Sequence, residues 1–125
     1  MEQDIFIQTL RDLLGPKGWV EDDDSIEPFI TEWRGFWRGS CLGVARPANT
    51  AEVSEVVKLC SKAGVSISPI GGNTGLVGGG VPDGGIVLST QRLSTIRDID
   101  PGNLTMTVEA GCILANIQNA AKQNS

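Results

Sequence analysis

The sequence predicts an α+β domain: a strand–helix–strand unit carrying a small parallel sheet, further strands and a helix after it, and an N-terminal helical arm before it. Three observations carry this. Apolar residues recur at helical spacing over 4–14 and again over 51–63. Short apolar or alternating runs of strand length flank the second of these stretches. Glycine and proline clusters punctuate the joins, where they favour turns over continued helix or strand.

In the arm, Ile7, Leu10, Leu13 and Leu14 fall on one helical stripe, with Phe6 near it and Ile5 off to one side, and Gly15-Pro16 ends the segment. The run Glu21-Asp22-Asp23-Asp24 reads as a solvated turn rather than a metal site. Four adjacent acids cannot all point inward, and the chain has no histidine to complete a ligand set. Between Glu32 and Gly39, Trp33, Phe36 and Trp37 crowd into five positions. An aromatic plug anchoring the arm is favoured here over a ligand contact. Arg34 and Arg38 share the four-residue spacing of the tryptophans and are free to meet an anion or to pair with the acidic run. Residues 1–40 form the arm on this reading, and 41–125 the first part of an incomplete main domain.

That domain opens with Leu42-Gly43-Val44-Ala45, a strand closed by Arg46-Pro47. Asn49 or Thr50 caps the next helix, with Glu52 or Glu55 near its positive end. Val53, Val56, Val57 and Cys60 make its apolar stripe, and Gly64 stops it. Strand 42–46, helix 51–63 and strand 66–70 compose a right-handed βαβ unit with a parallel pair. A strand at 86–89, a hairpin-like stretch from Ile96 to Asp100, a Pro101-Gly102-Asn103 turn and Leu104–Val108 follow. A last helix begins after Ala110-Gly111.

Between Pro69 and Pro82 lies PIGGNTGLVGGGVP, in which six of the ten residues from Gly71 to Gly80 are glycine and none is charged. Without Cβ atoms the backbone can approach a ligand closely, and successive N–H groups in such a loop can hold an anion, typically a phosphate. Two other readings stand beside this one. A flexible linker would carry less apolar content than Leu76, Val77 and Val81 supply, and a tight structural turn would need no ligand at all. The two common nucleotide loops do not fit. No lysine occurs between Lys62 and Lys122 to complete a P-loop, and the glycines lack the G-x-G-x-x-G spacing of a strand-to-helix dinucleotide turn.

Composition narrows the function classes. A net charge of −5 argues against nucleic acid as partner, and no apolar stretch approaches the length of a membrane span. Cys41, Cys60 and Cys112 form no C-x-x-C pair and read as small buried residues in a reducing compartment. The first residues lack the features of a secretion signal or transit peptide, so a cytoplasmic location, with peripheral membrane association allowed, is expected. No general base, nucleophile or metal cluster stands out.

The string ARPANTAEVSEVVKLCSKAGVSISPIGGNTGLVGGG, followed by VLST and VEAGC, resembles the FAD-binding domain of the vanillyl-alcohol-oxidase flavoprotein superfamily. Within it the sequence is similar to D-2-hydroxy-acid dehydrogenases, including D-2-hydroxyglutarate and D-lactate dehydrogenases and the glycolate oxidase flavin subunit. Trp33, Arg38 and Gly39, spaced W-x(4)-R-G, support that subgroup. The resemblance covers roughly residues 32–124, and the joint order of its motifs is more specific than the glycine loop alone.

The resemblance implies that Pro69, Gly71, Gly72, Asn73, Thr74 and Gly75 cradle the FAD diphosphate, that Leu76, Gly78 and Gly79 approach the flavin side, and that Gly111 lies against the cofactor. Many relatives attach FAD through a histidine after the paired glycines; here that residue is Asn73, so non-covalent FAD is expected. The parent enzyme would oxidise a small-molecule D-2-hydroxy acid and pass electrons to a quinone, a cytochrome or an electron-transfer flavoprotein. Its catalytic residues are expected beyond residue 125. A sister oxidase of the same superfamily, or a non-catalytic nucleotide-binding module, are the alternatives. The family clasps FAD between two subdomains, of which the resemblance implies that this piece holds the first and the start of the second, so alone it is expected to bind FAD weakly or not at all.

Overall fold

The structure is a computed structural model that describes residues 1–125. Helix α1 (Gln3–Gly18) buries Phe6, Leu10 and Leu14, spaced four apart on one face, with Ile7 and Leu13 half-buried beside them and Ile5 exposed. Its regular part ends at Gly15, whose φ of 71° and ψ of −178° break the helix ahead of Pro16. The chain then enters a two-residue strand, β1 (Trp19–Val20), too short to leave a periodic signal in the sequence.

The acidic run is a correction to the sequence reading. Asp22 is the N-cap of a helix, α2 (Asp23–Ile30), and its side chain accepts the Ser25 N–H at 3.0 Å. Asp23 and Asp24 sit in the first turn, where carboxylates face the positive end of the helix. Ile26 and Ile30 supply the buried face. With only two core residues, the apolar pattern of this helix was too sparse to outweigh the acids ahead of it.

A second correction concerns the aromatics. Thr31 and Arg38 bridge antiparallel, and Glu32 N–H donates to the Trp37 carbonyl, so residues 31–38 form a tight hairpin. Gly35, at φ 78°, sits in its bend. Trp33 is 72% exposed, Phe36 70% and Trp37 46%, so the three rings do not form a buried plug. Glu32 is the hairpin residue turned inward.

Strand β2 (Val44–Ala45), helix α3 (Thr50–Ala63), β3 (Ile67–Ile70) and β4 (Ile86–Ser89) build the central sheet in the order β1-β2-β4-β3. The helix starts and stops where its sequence dictates. Asn49 accepts the Glu52 N–H at 2.9 Å, Glu52 reaches back to the Ala48 N–H, and Gly64 closes the end in the left-handed region. Val56 and Cys60 are buried and Val53 is packed against the core, whereas Val57 is exposed and lies off the expected stripe. The expected parallel pair is also modified. β2 and β3 run parallel, but β4 lies between them and pairs with both. Its four residues are all buried, as befits a central parallel strand covered on both faces.

The alternation along β4 defines the layers. Ile86 and Leu88 join α1 and α3 in one cluster with Trp19 and Ala45. Val87 faces the opposite side, with Val44, Ile70 and the α2 residues Ile26 and Ile30. Helices thus cover both faces, and the carboxyl end of β3 emerges beside α2 with the glycine loop attached. Beyond β4, β5 (Ile96–Asp100) and β6 (Thr105–Val108) form an antiparallel hairpin with an irregularity at Ile96/Asp98, and α4 (Leu114–Gln123) ends the chain. No helix is long and apolar enough to cross a membrane.

Candidate functional site

The glycine loop is anchored by almost everything except its own amides. At its entry the Thr90 N–H donates to the Ile70 carbonyl at 3.0 Å. Asn73 takes the left-handed conformation, φ 53°, and its amide nitrogen donates to the carbonyls of Pro28 and Thr31, each at 2.9 Å. That places Asn73 as a staple between the loop and the carboxyl end of α2. Arg34 reaches over from the hairpin to donate to the Leu76 carbonyl. Its guanidinium lies 4.8 Å from the Phe36 ring centre and 5.9 Å from that of Trp37, and Trp37 in turn packs at Gly78. At the exit, Ser40 N–H donates to Pro82, and Gly39 crosses so near that a Cβ there would lie 1.9 Å from the Pro82 carbonyl oxygen. The glycine of the W-x(4)-R-G pattern is therefore demanded by a backbone crossing.

Against this anchoring, none of the backbone N–H groups from Gly71 through Gly80 donates to a protein acceptor. The loop is mostly exposed, so these donors are open to solvent or to a ligand, and successive amides of this kind can form an anion-binding concavity without any cation. The cavity they border measures about 270 Å³, and its wall runs from Pro69 to Gly75 with Gly78, Gly80, Val81 and Glu32. No lysine or arginine lines it; Glu32 is its only charged residue. The arrangement can accept an anion that offers several oxygens, phosphates among them.

Of the residues expected from sequence, Pro69, Gly71, Gly72, Asn73, Thr74, Gly75 and Gly78 share this wall. Leu76 and Gly79 are not part of it. Gly111 stands apart, at a second cavity of about 260 Å³ bordered by Gln91, Ser94, Cys112 and Ile117. Its N–H donates to the Leu93 carbonyl at 2.7 Å, and a Cβ at this position would lie 1.7 Å from the Thr90 carbonyl oxygen. The crowding at 111 thus comes from the protein's own backbone.

Glu32 escaped the sequence reading, which saw it only as the residue ahead of the aromatics. Burial pushes its carboxyl upward, but the Phe36 and Arg34 N–H groups and the Arg34 charge outweigh that and hold it below the ordinary glutamate value. Arg38 pairs with Glu27 rather than with the acidic run, of which only Asp23 acts on its charge. It forms a two-bond pair with Glu27, both contacts at 2.8 Å, which together with Thr31 lowers the Glu27 carboxyl to about 2. Of the cysteines, Cys60 is buried while Cys41 and Cys112 are half-buried; all three are free thiols, and burial raises Cys41 and Cys60.

Comparisons with known proteins show the family. Residues 41–125 match the family described as FAD binding domain. A probable mitochondrial D-2-hydroxyglutarate dehydrogenase of Oryza sativa subsp. indica is 35% identical over 114 residues, which is 90% of this chain and 20% of that protein. A putative mitochondrial D-lactate dehydrogenase of Schizosaccharomyces pombe is 35% identical over 126 residues, 94% of this chain and 24% of the relative. The chain therefore spans about a fifth to a quarter of the length of these relatives. Among solved structures, substrate-bound p-cresol methylhydroxylase superposes with a TM-score of 0.83 over 97% of this chain and 24% of that one, at 22% identity. That likeness establishes the shared fold.

Proposed function

The chain belongs to the FAD binding domain family, and from that premise we propose that it is the cofactor-binding part of an oxidoreductase that converts a D-2-hydroxy acid to the 2-oxo acid. One observation carries the reading: the successive backbone N–H groups of Gly71 to Gly75, without protein acceptors, line a cavity whose wall has no lysine or arginine. Bound FAD would supply the chemistry, accepting a hydride from the carbon that bears the hydroxyl. The protein's part in this region is to bind and orient. Amides of Gly71, Gly72, Asn73, Thr74 and Gly75 face the diphosphate on this proposal, with Leu76, Gly78 and Gly79 toward the flavin and Gly111 at the second cavity. The substrate class follows the names of the two relatives, a D-2-hydroxyglutarate and a D-lactate dehydrogenase.

We assign FAD as non-covalently held. Asn73 stands where many members of the superfamily have a histidine, and an amide forms no such bond. Its nitrogen is already engaged by Pro28 and Thr31. Electrons are proposed to leave to a quinone, a cytochrome or an electron-transfer flavoprotein. For location, three free thiols favour a reducing interior; both relatives are named as mitochondrial proteins, and the cytoplasm and the mitochondrial matrix meet that condition equally.

The protein produced from its complete reading frame tests this directly. It is expected to purify with a flavin absorbance spectrum that bleaches on anaerobic addition of D-2-hydroxyglutarate or D-lactate and not of the L-enantiomers. Acid precipitation should leave the yellow colour in the supernatant. A colourless protein that takes up no added FAD contradicts the reading, and colour retained in the pellet contradicts the non-covalent assignment.

A further inference from the structure

The glycine loop has little of its own to hold it in one shape. Of the residues from Gly71 to Gly80 only Asn73 and Thr74 carry polar side chains, and only Asn73 hydrogen-bonds through one. Its acceptors, the Pro28 and Thr31 carbonyls, each stand at 2.9 Å, and only the amide nitrogen can face two carbonyls, so the side chain has one orientation. These carbonyls belong to the last turn and the C-cap of α2, where helical partners run out. The Glu32 N–H, which a continuing helix would direct to Pro28, goes to Trp37 instead, and α2 has no basic residue in its last turn. Asn73 therefore seals α2 and anchors the loop with the same two bonds. Its φ of 53° is one that asparagine tolerates better than most residues. A left-handed residue in such a turn lets successive N–H groups converge on one side.

We propose that the Asn73 side chain positions the cofactor site: it holds the amides of Gly71–Gly75 in their anion-receiving order before a ligand arrives, acting through the loop rather than on the ligand. The proposal rests on the FAD reading and deepens it. A loop this rich in glycine has many backbone states to lose on binding. A site that is only fractionally in its competent form loses apparent affinity by that fraction. The two bonds of Asn73 remove most of that cost. Their acceptors lie at residues 28 and 31, upstream of the matched stretch 41–125, and so does Arg34, which donates to the Leu76 carbonyl. The N-terminal arm thus sets the shape of a loop that belongs to the family domain.

The test uses the apoprotein made from the complete reading frame. Stopped-flow flavin fluorescence gives association and dissociation rates for FAD, and competition gives Kd for ADP, which carries the diphosphate without a flavin. Asn73→Gly keeps the left-handed conformation and deletes the two bonds. It is expected to slow FAD association about thirtyfold, the scale of two neutral hydrogen bonds, with dissociation within about twofold of wild type, since only the competent fraction falls. ADP should lose affinity by the same factor, because the order of the whole row of amides is lost rather than one contact. A merely structural residue would lower Tm and leave both FAD rate constants at their wild-type values. That result overturns the proposal, as does a loss confined to dissociation or one that ADP does not share. Where the glycine variant loses its near-ultraviolet dichroism, Asn73→Ser, which keeps one donor, takes its place. It should slow association to a smaller degree, and a wild-type association rate overturns the proposal there too. A wild-type apoprotein that binds no flavin removes the FAD reading itself, whereas wild-type binding with unaltered association in the variants removes only the role of Asn73.

Discussion

Gly111→Ala is expected to destabilise the domain severely, by about 3 kcal/mol or more, the upper end of what overpacking costs. The added methyl would stand 1.7 Å from the Thr90 carbonyl oxygen and 2.7 Å from that of Leu93. Both are backbone atoms, so no rotamer change relieves the contact. Thr90 cannot yield freely, because its N–H donates to the Ile70 carbonyl at the root of the glycine loop. The hydrogen bond from Gly111 to Leu93 would be broken by the same displacement. Thermal unfolding of the wild type and the variant checks this, and retained flavin content reports whether the displacement reaches the loop. An unchanged Tm with full flavin content would mean that residue 111 does not lie against Thr90.

The second large effect is electrostatic. Gly75 lies on the wall of the main cavity, and a Cβ there meets nothing within 4 Å, so a side chain can be added without a clash. Gly75→Asp would introduce a carboxylate beside the proposed diphosphate. Two like charges about 5 Å apart at an effective dielectric near 20 repel by about 3 kcal/mol, roughly a hundredfold or more in Kd. Gly75→Asn controls for size. The expected result is loss of FAD binding in the aspartate variant with little change in apoprotein Tm, and a much smaller loss in the asparagine variant. Equal affinities for the two would show that no phosphate lies near residue 75.

Much of this arrangement was readable in the chain before any coordinates. Asn49 or Thr50 and Gly64 marked the ends of α3 because capping depends on neighbours in sequence, and Asn49 and Gly64 act as the caps. The glycine loop announced itself by composition, and its position after an alternating strand placed it at a strand end. What the sequence hid depends on contacts between distant segments. β4 inserts between β2 and β3, an arrangement that local periodicity does not encode. β1 exists only because Trp19 and Val20 pair with Ala45 and Val44. The aromatics misled because rings are usually buried; here Gly35 bends the hairpin so that Trp33 and Phe36 face outward and Glu32 inward. A lone glutamate carries no sequence signal of burial, so its place in the cavity wall emerges only from the fold.

The central claim is that the amides from Gly71 to Gly75 grip the diphosphate of FAD. A crystal structure of the flavin-loaded protein tests it most directly. The account predicts phosphate oxygens about 2.9 Å from several of those nitrogens, the usual N–H···O length, with no lysine or arginine of residues 1–125 in contact. A diphosphate seated elsewhere, with the same amides turned to bulk water, would contradict it.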